Sequence, residues 1–183
     1  SEITDTILEQ VEKLDFLIQS LVRLSRMENG IIAVHPERTE VNELFERLKA
    51  EYGKRAEEKQ VSLRFEKTCL RAAFDLKWTA EALGNILDNG IKYTANGGNI
   101  TVCAQEYSFF VRIDVADDGI GIDEEEIPKI FSRFYRSFSV SDRPGVGIGL
   151  YLSREIVQAQ KGYIKVSSKA GEGTVFSVFL PVS

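Results

Sequence analysis

The first stretch of the chain carries apolar residues in alternating steps of four and three. They are Ile3, Ile7, Val11, Leu14, Ile18 and Leu21, with Leu8, Leu17 and Leu24 widening the stripe. A spacing near 3.5, held for about three heptads, predicts a helix with a narrow apolar seam that must be buried against partners. Asn29-Gly30 supplies the stop, because glycine readily takes the left-handed position after a helix. An ordinary first helix and an outlying coiled-coil or bundle helix both fit. The second is favoured because the chain beyond residue 30 reads as a complete domain. From Ile31 the pattern turns mixed α/β. Ile31-Ile32-Ala33-Val34 predicts a short strand closed by His35-Pro36. Thr39 is expected to cap a helix with Val41, Leu44, Phe45, Leu48 and Tyr52 on one face. Alternation at Val61, Leu63 and Phe65 predicts a strand, and 70–74 another. Asp75 should cap a helix running to about Thr94, with a turn at Asn96-Gly97-Gly98. Ile100, Val102 and Ala104, then Phe109, Val111, Ile113 and Val115, predict a β-hairpin. A short helix near 127–131, a helix over 147–160 and a closing strand pair over 163–167 and 174–180 complete the pattern. The division expected is residues 1–30, a helix and linker, and residues 31–183, one α/β domain.

Composition narrows the chemistry. With 183 residues, 43% hydrophobic and 28% charged, the chain is long enough for one good core and is neither disordered nor collagen-like. Its longest apolar runs fall far short of the roughly 20 residues that span a bilayer, and no signal peptide is expected at its start. Cys69 and Cys103 suggest a reducing compartment. A net charge of −5 without a basic block disfavours nucleic acid as a partner. There is a single histidine, His35, which nearly excludes a histidine-rich metal site and leaves one candidate for any histidine-based catalysis.

The helix expected from Asp75 has two faces. At about 100° per residue, Leu76, Ala80, Leu83, Leu87, Ile91 and Thr94 share one side, and Glu81, Asn85, Asn89 and Lys92 share the other. Asparagine is a mediocre helix former with no solvation advantage over lysine or glutamate. Two asparagines one turn apart are either accidents of a solvated face or ligands. Their amide oxygens suit a hard cation, and their NH2 groups suit phosphate oxygens.

Two glycine segments favour ligands. Asp117-Asp118-Gly119-Ile120-Gly121-Ile122 follows a strand, where glycines let the backbone approach a flat ligand and an aspartate can accept from an exocyclic amine. Gly145-Val146-Gly147-Ile148-Gly149-Leu150 opens a helix, where bare N–H groups and the helix dipole attract anions. It lacks the strand context of a dinucleotide fingerprint and the Lys-Ser/Thr of a P-loop. Between them, Ile130-Phe131-Ser132-Arg133-Phe134-Tyr135-Arg136 interleaves aromatics with arginines, as a flap that anchors in the core and points cations at phosphate would.

In this order the segments resemble the N, first glycine, F and second glycine boxes of sensor histidine kinases. That catalytic ATP-binding domain is a branch of the superfamily of gyrase, Hsp90 and MutL. Asn85-Ile86-Leu87-Asp88-Asn89-Gly90-Ile91-Lys92-Tyr93-Thr94 resembles the N box, and Gly171-Glu172-Gly173-Thr174-Val175-Phe176 the last glycine box. The resemblance implies the left-handed two-layer α/β sandwich of that superfamily, a Bergerat-type fold with a mixed sheet, helices on one face and one long N-terminal helix before it. It implies ATP and Mg2+ as cofactors under a mobile lid of roughly 123–146. By position, Asn85 and Asn89 would bind Mg2+ and phosphates, Lys92 would contact phosphate, and Tyr93 would lie over the nucleotide. Asp117 would accept from the adenine amino group, with Gly119, Gly121 and Ile122 shaping that pocket and Thr174 near adenine. Ile130 and Tyr135 would line the lid side, and Arg133 and Arg136 would approach the γ-phosphate. Gly145, Gly147, Ile148, Gly149 and Leu150 would form the hinge and meet the phosphates. Gly90 stands where the family usually has alanine, and Val146 where a small hydroxyl residue is common.

The ATPase branch carries a glutamate as general base where this chain has Asn85, which cannot take a proton near neutral pH. Slow hydrolysis is therefore expected, with an imidazole as nucleophile and catalysis by alignment and charge neutralisation. Whether Glu81 polarises that imidazole is open. His35 sits in the linker, before Pro36, and does not fit the acceptor pattern. The first helix resembles the end of the second helix of the dimerisation hairpin, so the chain is expected to be a truncated piece of a longer kinase. The acceptor hairpin and a response regulator are its expected partners. The location expected is cytoplasmic, without membrane contact by this piece, and the parent kinase is expected to be membrane-anchored. The alternatives are a related ATPase or serine kinase and a non-catalytic nucleotide-binding module.

Overall fold

The computed structural model describes residues 1–28, 33–132, 135 and 148–183. Helix α1 spans Glu2–Glu28, and α2 (Val41–Glu58), α3 (Leu76–Tyr93) and α4 (Gly149–Ala159) come after it. Strands β1 (Glu37–Glu40), β2 (Ser62–Phe65), β3 (Arg71–Phe74), β4 (Asn99–Tyr107), β5 (Phe110–Asp117), β6 (Tyr163–Lys169) and β7 (Gly173–Pro181) form two sheets. The larger has the order β2-β4-β5-β7-β6, and the smaller pairs β1 with β3. Only β2 and β4 run parallel in the larger sheet, so it is mixed. A parallel neighbour needs a long crossover, and α3 lies in it.

Alternation decides which sheet face is covered. Ile100 and Val102 of β4, Val111, Ile113 and Val115 of β5 and Val178 and Leu180 of β7 point into one core. Phe45 and Leu48 of α2, Leu83, Ile86 and Leu87 of α3 and Ile156 and Val157 of α4 close it from the helical side. The opposite sheet face carries polar and aromatic residues. There Tyr163 stacks on Phe179 at 4.2 Å between ring centroids, and Ser177 Oγ donates to Asp114 Oδ1 at 2.6 Å. The two-layer sandwich with a leading helix is thus as the periodicity and the resemblance imply.

Helix α1 leaves most of its seam in solvent: Ile3 is 75% exposed and Leu14 56%. Only its last turns meet the domain. Leu24 is buried against Ile148, Leu152 and Tyr151, and Arg23 Nε lies 3.2 Å from Glu81 Oε1. The expected stop at Asn29-Gly30 lies outside the described residues, as do Ile31 and Ile32 of the first expected strand.

Two local expectations are corrected. Ala33 and Val34 are not strand; β1 lies after Pro36, where its backbone pairs antiparallel with β3. Thr39 is therefore a strand residue opposite Ala72, and its Oγ1 donates to the Glu37 carbonyl at 2.8 Å. The α2 N-cap is Glu40, whose side chain makes no cap bond; the Val41 N–H donates instead to the Leu70 carbonyl at 3.0 Å. A ladder partner for the backbone outweighed the local capping preference. The segment expected as a lid is described over 123–132 and at 135, including a single 3-10 turn at Ile127–Lys129.

Asp75 is the cap the sequence promised, and it does more. Its Oδ1 accepts from Trp78 N at 3.1 Å and its Oδ2 from His35 N at 2.8 Å. Its own N–H donates to Gln160 Oε1 at 2.6 Å, tying the start of α3 to the end of α4. Asp75→Ala should lower unfolding stability by about 1–2 kcal/mol, through loss of the cap and the linker bond, whereas Asp75→Asn, which keeps one acceptor oxygen for the cap but cannot also accept from His35 N, should lose an intermediate amount. Urea unfolding followed by circular dichroism measures both.

Candidate nucleotide site

The site begins with the two faces of α3. Along Glu81 to Tyr93 the half-exposed positions are Glu81, Asn85, Asp88, Asn89, Lys92 and Tyr93, and the rest are buried. This is the expected polar stripe with Asp88 and Tyr93 added. Asn85 Nδ2 donates to the Gly149 carbonyl at 3.1 Å, so the start of α4 rests on the asparagine face. A Cβ on Gly149 would lie 3.5 Å from Asn85 Cγ, an ordinary packing distance, so α4 starts directly against the Asn85 side chain. Glu81 is engaged by Arg23 of α1.

The far end of α3 meets the loop after β5. The Ile120 N–H donates to the Tyr93 carbonyl at 3.2 Å. Asp117 Oδ1 accepts from Gly119 N at 2.9 Å, which bends the chain around the carboxylate. Burial pushes the Asp117 pKa up, and the backbone N–H groups of Gly119 and Thr174 oppose that. A Cβ on Gly90 would stand 3.8 Å from Asp117 Oδ2 and 3.3 Å from Ile100 Cδ1. The helix therefore runs directly past the carboxylate, and the close neighbour of the missing Cβ is the Ile100 side chain rather than Asp117.

Residues the sequence reading did not single out hold this loop. Ser168 Oγ accepts from Ile122 N at 2.8 Å, donates to the Gly173 carbonyl at 2.9 Å and lies 2.7 Å from Thr174 Oγ1. Asp118 accepts from both Asn99 N and Asn99 Nδ2, which hold its pKa down. Neither role has a local signal: Ser168 reaches Ile122 across 46 residues and Asp118 reaches Asn99 across 19, both beyond any short window. Thr94 is sealed from solvent, and its Oγ1 finds no hydrogen-bond partner among the described residues.

On the lid side, Ile130 is buried in the main core. Phe131 meets Phe176 edge-on at 6.4 Å, and the Arg154 guanidinium lies over its ring at 5.5 Å. Tyr135 Oη donates to Glu126 Oε1 at 2.8 Å, and burial together with Glu126 pushes its pKa up to about 12. Ile148 is buried against Leu24, and Leu150 packs on the main core. Arg133, Arg136, Gly145 and Gly147 lie outside the described residues. A cleft of about 810 Å3 runs from Lys92, Tyr93 and Ile120 toward Arg55 and Lys59 of α2. Asn85, Asn89 and Asp117 do not line it, so it flanks the site.

No group of three or more His, Cys, Asp or Glu able to hold a metal occurs among the described residues. The asparagines are another kind of donor. With Nδ2 of Asn85 spent on Gly149, its amide oxygen is left as an acceptor, and amide oxygens suit a hard cation. No helix among the described residues is long and apolar enough to cross a membrane.

Polar helix face, capped aspartate loop and glycine-started helix, set on a mixed sheet, define a nucleotide-binding class of domain. Residues 75–183 match the model of the histidine kinase-, DNA gyrase B- and HSP90-like ATPases, and the chain belongs to that family. Sensor protein SrrB of Staphylococcus aureus is 28% identical over 178 residues, 96% of this chain and 30% of that protein. The chain thus spans about a third of the length of the curated relatives it matches. The catalytic domain of histidine kinase ThkA superimposes with a TM-score of 0.71 at 25% identity, covering 81% of this chain and 96% of that one. ThkA in complex with response regulator protein TrrA gives 0.79 at 22% identity, covering 100% and 51%. Full-length ShkA in complex with AMPPNP gives 0.83 at 21% identity, covering 97% and 38%.

Two glycines of the loop region separate steric from conformational demand. Gly121 has φ +71°, and a Cβ there would collide with the Lys169 carbonyl; Gly171 has φ +81° with open space around it. Gly171→Ala should cost about 1 kcal/mol for its backbone conformation alone. Gly121→Ala should cost about 2 kcal/mol or more, because the loop must also move. Paired urea titrations test this ordering.

Proposed function

We propose that the chain is the ATP-binding catalytic part of a sensor histidine kinase. It would pass the γ-phosphoryl of Mg–ATP to a histidine on a dimerisation hairpin, for relay to a response-regulator aspartate. The observation that carries this reading is the convergence on α3. Its asparagine face touches the start of α4 through Asn85 and Gly149, and between Asn89 and Lys92 the helix passes Asp117 at Gly90. Adenine chemistry and phosphate chemistry thus meet along the C-terminal half of one helix.

In this reading Asp117 accepts from the adenine amino group, beside Gly119, Gly121, Ile122 and Thr174. Tyr93 covers the nucleotide, and Lys92 meets the phosphates. Asn85 and Asn89 hold Mg2+, which when bound neutralises phosphate charge. Gly145, Gly147, Ile148, Gly149 and Leu150 form the phosphate-facing hinge, Ile130 and Tyr135 back the lid, and Arg133 and Arg136 approach the γ-phosphate. The imidazole nitrogen attacks Pγ while the bond to the bridging oxygen breaks, releasing ADP. Alignment and charge neutralisation supply the catalysis. Asn85 provides no base for water, so hydrolysis is slow.

Residues 1–30 serve as a dimerisation-hairpin helix and linker, and 31–183 as the catalytic domain. The exposed seam of α1 supports that division. His35 precedes Pro36 in the linker, outside any helix, with its N–H held by Asp75, so the acceptor is another histidine. The work is assigned to the cytoplasm, as the inner part of a membrane-anchored sensor. SrrB, ThkA with its response regulator and AMPPNP-bound ShkA support the assignment.

Calorimetry with Mg–ATP should show saturable binding, and Asp117→Asn should weaken it about tenfold or more with an unchanged circular dichroism spectrum. Asn89→Asp should weaken it as well. Mixed with Mg–ATP and a separate acceptor hairpin, the chain should place acid-labile phosphate on histidine. Rapid steady hydrolysis by the chain alone would instead favour an ATPase.

A further inference from the structure

Helix α2 and its C-cap residue Lys59 grip α3 at three successive points. The Tyr52 side chain lies against Gly84, where a Cβ would collide with Tyr52 Oη. Arg55 Nη1 donates to Asp88 Oδ1 at 2.6 Å, and Lys59 Nζ donates to the carbonyls of Ile91 and Lys92. The spacing on both helices is close to one turn per grip, so the contacts form a ladder toward the C-terminal end of α3. None of these three residues falls within the stretch matched by the family model.

The middle rung reaches the site. Asp88 Oδ2 lies 2.8 Å from Lys92 Nζ, so one carboxylate is shared by Arg55 and Lys92. We propose that Arg55 is a positioning residue for phosphate binding, acting through Asp88 on Lys92. This rests on the proposal that the chain binds Mg–ATP.

A triphosphate that recruits Lys92 must draw it from Asp88, and a carboxylate left alone would resist. Arg55 remains on the other oxygen, so Asp88 stays paired when Lys92 leaves. The Asp88 charge also stands one helical turn from Asn85 and Lys92, so it would repel phosphates held there, and Arg55 offsets it at close range. Arg55 is itself held, because its guanidinium lies 5.1 Å from the Tyr52 ring centroid. Burial pushes the Tyr52 pKa up to about 12, so the ring stays a neutral phenol. Gly84, an unfavourable residue inside a helix, is explained by the room that Tyr52 needs. The pair is half-open to solvent, with side-chain exposures of 54% for Arg55 and 22% for Asp88, which keeps the effect modest.

A double-mutant cycle by Mg–ATP calorimetry on the full chain tests the proposal. Arg55→Ala should weaken binding about three- to fivefold. Asp88→Asn should not weaken it, and in that background Arg55→Ala should have no further effect. Arg55→Lys, which keeps the charge but not the fork, should fall between parent and Arg55→Ala. Rescue by Asp88→Asn is the signature that a merely structural role would not give. Parent-like binding by Arg55→Ala, or losses in the two single variants that simply add, would overturn the proposal and leave nucleotide binding itself standing. Failure of the parent to bind Mg–ATP would overturn both.

Discussion

Helix α3 has to satisfy the core and the solvent within the same five turns, and the rest of the structure is arranged around that demand. Leu83, Ile86, Leu87 and Ile91 are fully buried, so the helix cannot rotate without exposing them. Burial of several such side chains is worth on the order of 1.5–3 kcal/mol each. That packing fixes the direction in which Asn85, Asn89 and Lys92 must point. A polar face aimed by the core is a rigid face, and rigidity is what alignment catalysis requires.

The ends of the helix are held by different means. At the start, Asp75 caps it and Gln160 ties the cap to α4. At the end, Lys59 covers the last carbonyls and the Ile120 N–H takes that of Tyr93. A cation at a helix C-terminus is favourable to the dipole as well as to the unpaired carbonyls. The loop after β5 is therefore hung on the same helix that bears Asn85, Asn89 and Lys92, and its spacing from them is set by the rise of α3.

Much of this was legible in the chain. Period-two alternation located β2, β4 and β5, because each has one face on the core and one away from it. The stripe on α3 was legible for the same reason, and the order of the boxes pointed to the family before any coordinates. The region around β1 was misread. Ile31-Ile32-Ala33-Val34 has strand composition, while Glu37–Glu40 is polar and exposed and pairs only through its backbone with β3. Composition cannot report a strand whose support is a ladder rather than a buried face.

The sequence by itself determined which residues of α3 face the core, where α3 begins, and the order of motifs that marks the family. These come from periodicity and local chemistry, which short windows contain. Only the tertiary structure decided who shares Asp88, why Gly84 is a glycine, and that Ser168 holds the loop at Ile122. Arg55 and Asp88 are 33 residues apart, and Ile122 and Ser168 are 46 apart. Their meeting depends on how α2 packs on α3 and how β6 lies beside the loop. Contacts of a few ångströms between distant segments are products of the whole packing arrangement, and no local pattern encodes them.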